Sequence, residues 1–462
     1  MNYVLLRDAY FGSGGFMSGG YLTRHKRESD EDYQFRRDNA YYLNYFAPIV
    51  NALVDPIFKH EPLRDYSGQC EDIVQEFLQN VDGNNTAMDT FMKRAAIMAK
   101  VYGVSFVVVD MPREKTARNV AELVAGRQYP YLRLMSPEDL LEYGLDKNGR
   151  LSYVVFQEID SIDNGATSYR YLRYDLNGWR ITGDDDIGTA SGSYDLGGVP
   201  VVPLFSRLLE QKTLKPMPDL APVAATAKAL YNHCSWLDEI LRNQTFPLLT
   251  IPSLDAKEMT IGNNNALGYD PNTSHQPDFI APPSDPAATL QTQIATLIKE
   301  MYRMASLSFM QSTSTADQTS GVARQWEFER TNQQLANFAA NCKRAEEQIA
   351  QLFAAWLNSS IEYTVTYPDD FGIVDVEGEL KEAQEVLDLN LTPELKQEVL
   401  KKVLASYCPD LPDERFDELM DSLKKEEMDR ENAEPPTLPT PPTVSPTEGA
   451  EPDEAPADDG EE

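Results

Sequence analysis

The sequence is poor in the residues that build metal centres and nucleophilic active sites, with four cysteines and four histidines in 462 residues. The cysteines form no CxxC pair, so we predict buried thiols in a reducing compartment; they are Cys70, Cys234, Cys342 and Cys408. The histidines are His25, His60, His233 and His275. Only His233 and Cys234 are neighbours, and adjacent helical side chains point about 100° apart and cannot share a metal. We expect neither a metal nor a cofactor.

Motifs of catalysis and of phosphate binding are also missing. There is no GxSxG or HExxH pattern, so the sequence predicts no enzyme. The glycine clusters at 12–15 and 19–20 lack the GK[ST] or GxGxxG spacing of a phosphate loop, and they predict a flexible loop instead. The acidic clusters at 184–186 and 369–370 lie beside turn residues and are interpreted as solvated loops, not Mg²⁺ sites.

Long apolar runs and long basic runs are absent as well. No stretch has the about 18 uncharged apolar residues that a membrane helix needs, and the N-terminus has no basic region typical of a signal peptide, so no membrane association is expected. The net charge is −33, of which the ten acidic residues in 431–462 supply −10, leaving −23 for the rest. Tight binding to phosphates needs a basic patch, so this charge disfavours a DNA clamp. It permits a surface past which DNA slides.

Periodicity predicts an α+β chain. Residues 70–110 are typical of helix, loop and helix followed, after Gly103, by a β-branched strand. Residues 129–205 contain short strands at about ten-residue spacing, separated by turns such as Asn177–Gly178, which indicates an antiparallel sheet or small barrel. Helices are predicted at 219–243 and from 285 to 305, flanking a segment rich in proline and asparagine. A long helix is predicted over 320–358, with apolar residues stepping by three and four from Leu335 to Trp356.

The segment from Tyr21 to Phe58 is the most distinctive in the chain; it reads YLTRHKRESDEDYQFRRDNAYYLNYFAPIVNALVDPIF. Its charged first half predicts a solvated segment, and its aromatic second half predicts a helix packed on nearly all sides, which Pro48 kinks or restarts. The order of these residues resembles the N-terminal pattern of bacteriophage portal proteins, the head-to-tail connectors. The segment SGVARQWEFE, from Ser320 to Glu329, is similar to that family's entry into its long spine helix.

The resemblance covers about residues 16–430 and implies a portal-like α+β fold with an α/β wing, a two-helix stem, a small clip insertion, a long spine helix and a helical crown. The implied divisions are 1–215 for the N-terminal wing, 216–247 for the first stem helix, 248–284 for the clip, 285–305 for the second stem helix, 306–320 for the tunnel loop, 321–377 for the spine helix and a returning wing strand, 378–430 for the crown, and 431–462 for a disordered, acidic, proline-rich tail.

The resemblance also implies where the chain would meet DNA and its partners. The tunnel loop would line the channel with short uncharged side chains, namely Gln311, Ser312, Thr313, Ser314 and Thr315, although the same residues also suit an ordinary polar linker. Lys299 and Arg303, one helical turn apart, would form neutralising rings, or would serve as solvated partners of Glu300 and Asp238. The clip tip would dock the packaging motor and the adaptor, through Asn263, Asn264, Asn265 and Tyr269.

A portal is a ring of about twelve identical subunits, so the implied partner set is broad. It comprises further copies of this chain, the terminase, the head–tail adaptor, the major capsid protein and weakly bound double-stranded DNA. The implied location is the capsid portal vertex of the virion, and the host cytoplasm before assembly. Because the stripe on the long helix is apolar, we expect a neighbouring subunit to bury part of it. The alternative interpretation is a helical scaffold or adaptor that assembles through that helix as a coiled coil.

Overall fold

The computed structural model describes residues 2–113, 120–183, 190–207, 213–245, 248–250, 278–280, 285–307, 321–369, 371 and 422. The chain divides into two units, Met1–Gly372 and Ile373–Glu462, and the description below concerns the first. The predicted crown and acidic tail lie outside the described residues except for Ser422. The predicted α+β class is confirmed.

The first unit contains nine described helices and twelve described strands in a mixed order. They are α1 (Tyr3–Phe11), α2 (Asp30–Asn39), α3 (Phe46–Ala52), β1 (Leu63–Gly68), α4 (Glu71–Gln79), α5 (Met88–Tyr102), β2 (Val104–Asp110), α6 (Val120–Ala125), β3 (Tyr131–Met135), β4 (Leu140–Leu145), β5 (Leu151–Asp163), β6 (Ala166–Asp175), β7 (Gly178–Gly183), β8 (Ala190–Ser193), β9 (Val201–Phe205), α7 (Ala221–Thr245), β10 (Leu248–Thr250), β11 (Asp278–Ile280), α8 (Asp285–Met304), α9 (Gly321–Leu357) and β12 (Ile361–Thr366).

Two antiparallel sheets form the β-rich part, as the turn spacing predicts. The order is β3-β2-β9 in the smaller sheet and β4-β5-β6-β7-β8 in the larger. Every residue of β2 is buried, because it is the central strand of the smaller sheet. The sheets share an apolar cluster in which the rings of Phe106 and Phe156 lie 5.7 Å apart. Tyr174 donates to the Asp110 carboxylate across the same cluster at 2.9 Å.

The pattern of the N-terminal aromatic segment predicts one helix from Tyr41 onward, but the structure does not contain that helix. The charged residues form α2, which begins after the cap Ser29, whose hydroxyl accepts from the Asp32 N–H at 3.0 Å. The chain then runs without helix from 40 to 45, and α3 begins at Phe46. Asn44 accepts from the Ala47 N–H at 3.0 Å, and Pro48 lies in the first turn of α3, so the helix begins two residues before the proline instead of at Tyr41.

The glycine clusters lie in a loop, as predicted, and the first of them, at 12–15, closes around a carboxylate. Asp8 is 2% exposed and accepts from the Gly15 N–H at 3.2 Å and from the Tyr21 hydroxyl at 2.7 Å. Gly14 has φ +55°, and a Cβ there would lie 2.1 Å from the Asp8 carboxylate. Burial works to raise the pKa of Asp8, but these hydrogen bonds and Arg7 outweigh it and hold the pKa below its usual range. Glycine is therefore required here for close approach.

The long helix α9 has the predicted extent, at 37 residues or about 56 Å. Its apolar stripe is covered by the chain itself: Leu335 is 5% exposed, Phe338 1% and Ile349 0%. The elements packed along it are α5, β2, β9 and the antiparallel pair of β12 with β1. The expectation that a neighbouring subunit must bury this stripe is therefore wrong for residues 335–349. The returning strand β12 pairs antiparallel with β1, far upstream in the chain.

None of the helices in the described ranges is long and apolar enough to cross a membrane.

Candidate functional site

The candidate site is a helical hairpin made by α7 and α8, whose far end carries the short antiparallel pair β10–β11. The first half of α7 packs into the core, where Val223, Ala227 and Leu230 are buried. Farther along α7, the apolar side chains emerge from the core, and Leu241 is 40% exposed. The hairpin therefore has one buried end, called its foot below, and one end that extends away from the core. Its position agrees with the predicted helices on both sides of the 248–284 segment.

Helix α8 faces α7 with apolar side chains at steps of three and four. Ile294 and Ile298 pack against the main core, and Met301 is fully buried near the foot. At the foot, the Thr331 hydroxyl of α9 donates to the Ser306 carbonyl at 2.5 Å. The orientation of α8 is fixed by these contacts, so its remaining side chains form a continuous exposed face.

The exposed face of α8 carries no charge over three turns, although a quarter of the chain is charged. Between Pro286 and Ile298 there is no charged residue. Three threonines on this face each donate their hydroxyl to the carbonyl four residues earlier, at 2.8–3.0 Å; they are Thr289, Thr292 and Thr296. Because those hydrogens are already used, the hydroxyls offer only acceptor lone pairs and methyl groups outward. Phosphate oxygens find neither a cation nor a free hydroxyl hydrogen on these threonines.

This uncharged face was not among the residues that sequence reasoning singled out. The signal was present, since DPAATLQTQIATLIKE has only one charged residue before Lys299. Only the orientation of α8 in the structure shows that the three threonines share its exposed side. Sequence reasoning instead favoured the loop after α8.

The two predicted channel cations lie at the foot end of α8. The Arg303 Nε donates to the Glu300 carboxylate at 2.7 Å, and the Arg303 side chain is 65% exposed. This hydrogen bond, with the charges of Arg303 and Lys299, lowers the pKa of Glu300. Arg303 therefore has the local partner that the alternative interpretation names, but its partner is Glu300 and not Asp238. Burial raises the pKa of Asp238.

The other predicted site residues lie outside the described residues. This holds for the clip tip, Asn263 to Asn265 with Tyr269, and for the loop residues from Gln311 to Thr315. The structure does describe the elements that lead into both segments: β10 and β11 for the first, and α8 and α9 for the second.

A buried arginine anchors the charged N-terminal helix to the hairpin. Arg36 is 5% exposed and donates to Glu28 at 2.8 Å, to the Thr23 carbonyl at 3.0 Å and to the Ser235 hydroxyl of α7 at 3.2 Å. The bond from Arg36 lowers the pKa of Glu28, because it stabilises the ionised carboxylate. Sequence reasoning took these residues as solvated; the three-dimensional contacts make them a clamp between α2 and α7.

Of the three cysteines that the structure describes, Cys234 and Cys342 are buried, as predicted, whereas Cys70 is partly exposed. Burial raises the pKa of Cys234 to about 11 and that of Cys342 to about 12, so both thiols stay protonated at neutral pH. Within the described ranges, no group of three or more histidine, cysteine or acidic side chains is placed to hold a metal ion.

Comparison with known proteins found no matching family model and no matching curated protein. Among solved structures, a chain of the "virion of native gene transfer agent (GTA) particle" shares 12% identity over 87% of this chain and 93% of that chain, with a TM-score of 0.44. A chain from the neck of an empty GTA particle, computed with C6 symmetry, shares 12% identity over 76% of this chain and 88% of that chain, with a TM-score of 0.41.

A chain from the neck of the native GTA particle, computed with C12 symmetry, shares 10% identity over 86% of this chain and 93% of that chain, with a TM-score of 0.40. These three solved structures are virion and neck components of gene transfer agent particles.

Proposed function

We propose that this chain is a portal-type subunit that assembles into a ring and forms the channel through which double-stranded DNA enters and leaves a phage-like capsid. In this proposal the hairpin of α7 and α8 is the stem, the 248–284 segment is the clip, α9 is the spine, and residues 1–215 form the wing. The terminase and later the head–tail adaptor dock on the clip, and the major capsid protein surrounds the ring. The subunit itself has no catalytic role.

The observation that carries the proposal is the uncharged exposed face of α8. A channel must hold DNA on its axis without binding it, because strong phosphate contacts would have to be broken at every step of movement. Thr289, Thr292 and Thr296 have no hydroxyl hydrogen left for phosphates, and this stretch of α8 carries no charge, so it offers phosphates neither a cation nor a hydroxyl donor. The net charge of −33 adds repulsion from the rest of the chain. The only cations of α8 are Lys299 and Arg303, and they lie together near the foot of the hairpin.

The coiled-coil alternative depends on an apolar stripe that a second copy could cover. Phe338, Cys342 and Ile349 are instead buried in their own chain, so this part of α9 offers no seam to a partner helix. This supports a ring held by other surfaces over a dimer or trimer held by α9.

The test of assembly is sedimentation velocity with negative-stain microscopy of the purified chain. We expect a ring of about twelve subunits with a central channel. A dimer or trimer without a channel would favour the scaffold alternative, and a monomer at every concentration would refute the proposal.

The test of the channel face uses lysine substitutions on the two stem helices. Thr292→Lys adds a cation to the exposed face of α8, whereas Thr226→Lys alters a threonine of α7 that makes the same bond to its own helix, at 3.0 Å. We expect Thr292→Lys to retain DNA in the ring and to steepen the dependence of retention on salt by about one unit per added phosphate contact, and Thr226→Lys to do neither. Equal behaviour of the two variants would contradict the assignment of α8 to the channel.

Two further tests address the segments that the sequence resemblance assigns. Lysines at Ser312 and Ser314 should slow packaging and increase DNA retention if the tunnel loop faces DNA. Replacing Asn263, Asn264 and Asn265 should impair packaging or tail joining while rings still form, if that segment docks partners. Loss of the ring in the second case would show that the segment belongs to the core of the assembly.

A further inference from the structure

A cationic cleft lies where α9 passes the ends of α5, β9 and α8. Its volume is about 790 Å³. Four cations line it, one from α5, one after β9 and two from α9; they are Lys100, Arg207, Arg330 and Arg344. Asp219 is the one carboxylate among the lining residues that the structure describes. A net positive concavity is unusual in a chain with 74 acidic and 41 basic residues.

The single carboxylate is already committed inside the cleft. Asp219 lies 3.8 Å from the ammonium of Lys100 and accepts from the Ser206 hydroxyl at 2.9 Å. Lys100 is 1% exposed, and its ammonium lies 4.1 Å from the centre of the Phe338 ring. Burial lowers the pKa of Lys100, although Asp219 counteracts this. The floor of the cleft is therefore satisfied by its own residues.

The three arginines at the rim have no such partner. Arg207, Arg330 and Arg344 are exposed, and among the described residues none of them makes an ion pair or a hydrogen bond. Amide side chains lie between them on α9, including Gln334 and Asn337, and these can donate hydrogen bonds. A guanidinium presents a planar fork of donors that matches a carboxylate in two parallel bonds. The rim is thus suited to receive carboxylates, and the described part of the chain does not supply them.

We propose that the cleft binds an acidic segment of a second copy of this chain, as one half of a head-to-tail contact between neighbouring subunits. The proposal rests on the ring of the proposed function and names a surface that holds it together. Charge complementarity supports it, because a surface of another copy with net charge −33 is the matching partner for an isolated positive cleft. In such a heterologous contact, each subunit binds one neighbour through its cleft and the other neighbour through its acidic segment. In a closed ring every cleft is therefore occupied.

Double-stranded DNA is a less suitable occupant. Binding of a duplex needs a continuous track of cations along its phosphates. The exposed face of α8 has no cation between Pro286 and Ile298. The positive charge is instead concentrated in one concavity beside α9, which suits a few carboxylates on a short segment.

The experiment compares two charge reversals at adjacent positions of α9. Arg344→Glu alters the rim of the cleft, and Lys343→Glu makes the same charge change one residue earlier, outside the cleft lining. Lys343 is exposed and its contact with Glu347 is 3.9 Å, so its loss costs little. We expect Arg344→Glu to raise the concentration needed for ring formation by about tenfold or more in sedimentation velocity, and Lys343→Glu to leave it near that of the unaltered chain.

A second variant, Arg330→Gln with Arg344→Gln, removes charge without reversing it and should also weaken the ring. Both positions are exposed, so melting temperatures should match that of the unaltered chain. Rings that form equally well in Arg344→Glu and Lys343→Glu would overturn the cleft proposal and leave the portal-type function standing. An unaltered chain that never forms rings would refute that function and this inference together. If Arg344→Glu instead lowers affinity for a fluorescein-labelled DNA duplex while assembly is unchanged, the cleft is a nucleic-acid surface and the proposal is wrong.

Discussion

The most stringent test of the fold concerns Glu346, a carboxylate at the centre of α9. It is 0% exposed, and four donors from three residues surround it. Arg64 Nε on β1 donates to it at 2.6 Å, the Tyr363 hydroxyl on β12 at 2.5 Å, and the Tyr367 hydroxyl at 2.6 Å. Arg64 also reaches Asp89 at 2.6 Å. One carboxylate thus connects the long helix to the sheet formed by β1 and β12.

The substitution Glu346→Gln keeps the shape of the side chain and removes its charge. One acceptor oxygen becomes an NH₂ group that points at a hydroxyl donor, and Arg64 keeps only one carboxylate partner. Hydrogen bonds to a charged group contribute about 1.5–3 kcal/mol each, and breaking a buried pair costs about 3–5 kcal/mol. Since the amide still accepts one bond, we expect the free energy of unfolding to fall by about 3–4 kcal/mol.

The assay is urea unfolding followed by tryptophan fluorescence, because Trp356 on α9 donates to the Val109 carbonyl at 2.9 Å and reports on the packing of that helix. The matched control is Glu347→Gln, the same chemical change one residue later. Glu347 is partly exposed and contacts Lys343 at 3.9 Å, so its loss should cost about 0.5 kcal/mol or less. If the two variants unfold at the same urea concentration, the argument for Glu346 is wrong.

The remaining predictions concern the N-terminal clamp, the glycine loop and acid stability. Arg36 lowers the pKa of Glu28 below its ordinary 4.5, so the stabilisation that this pair gives is complete above about pH 4.5 and is lost as pH falls through the lower pKa of the folded state. Glu28→Gln should therefore lose less stability between about pH 5 and pH 3 than the unaltered chain. Equal losses would contradict the clamp. Gly14→Ala should destabilise the protein more than Gly165→Ala, because both glycines have positive φ but only at Gly14 would the new Cβ meet a neighbour, the Asp8 carboxylate. The Gly165 change should lower the free energy of unfolding by about 1 kcal/mol in a urea titration. A larger effect of Gly165→Ala would contradict the steric argument. Ser235→Ala removes one acceptor of Arg36 and should lower the melting temperature modestly, whereas Thr226→Ala on the same helix should not; equal melting temperatures would show that the bond to α7 contributes nothing.

Much of the local structure was predictable because it depends on neighbours in sequence. The β-branched run from Val104 to Asp110 forms a strand directly after the glycine at 103, as predicted, and the structure shows that every residue of it is buried. The stepping of apolar residues from Leu335 gave the position and length of α9, and the pair Asn177–Gly178 marked a real turn between β6 and β7. Hydrophobic period and turn chemistry act over a few residues, so they can be read along the chain.

The tertiary structure alone decided which distant groups meet. Nothing in the local pattern of residues 63–68 indicates their pairing with 361–366, almost 300 residues later, and the apolar stripe of α9 does not show by itself whether its own chain or a neighbour covers it. The same is true of Asp8 inside its glycine loop and of Glu346 beneath Arg64, since a buried carboxylate looks like any other acidic residue until its donors are in place. Such contacts depend on the free energy of the whole packed chain, because a buried charge is stable only where every donor arrives together. Sequence therefore determined the elements and their order, and packing determined which surfaces remained exposed to act.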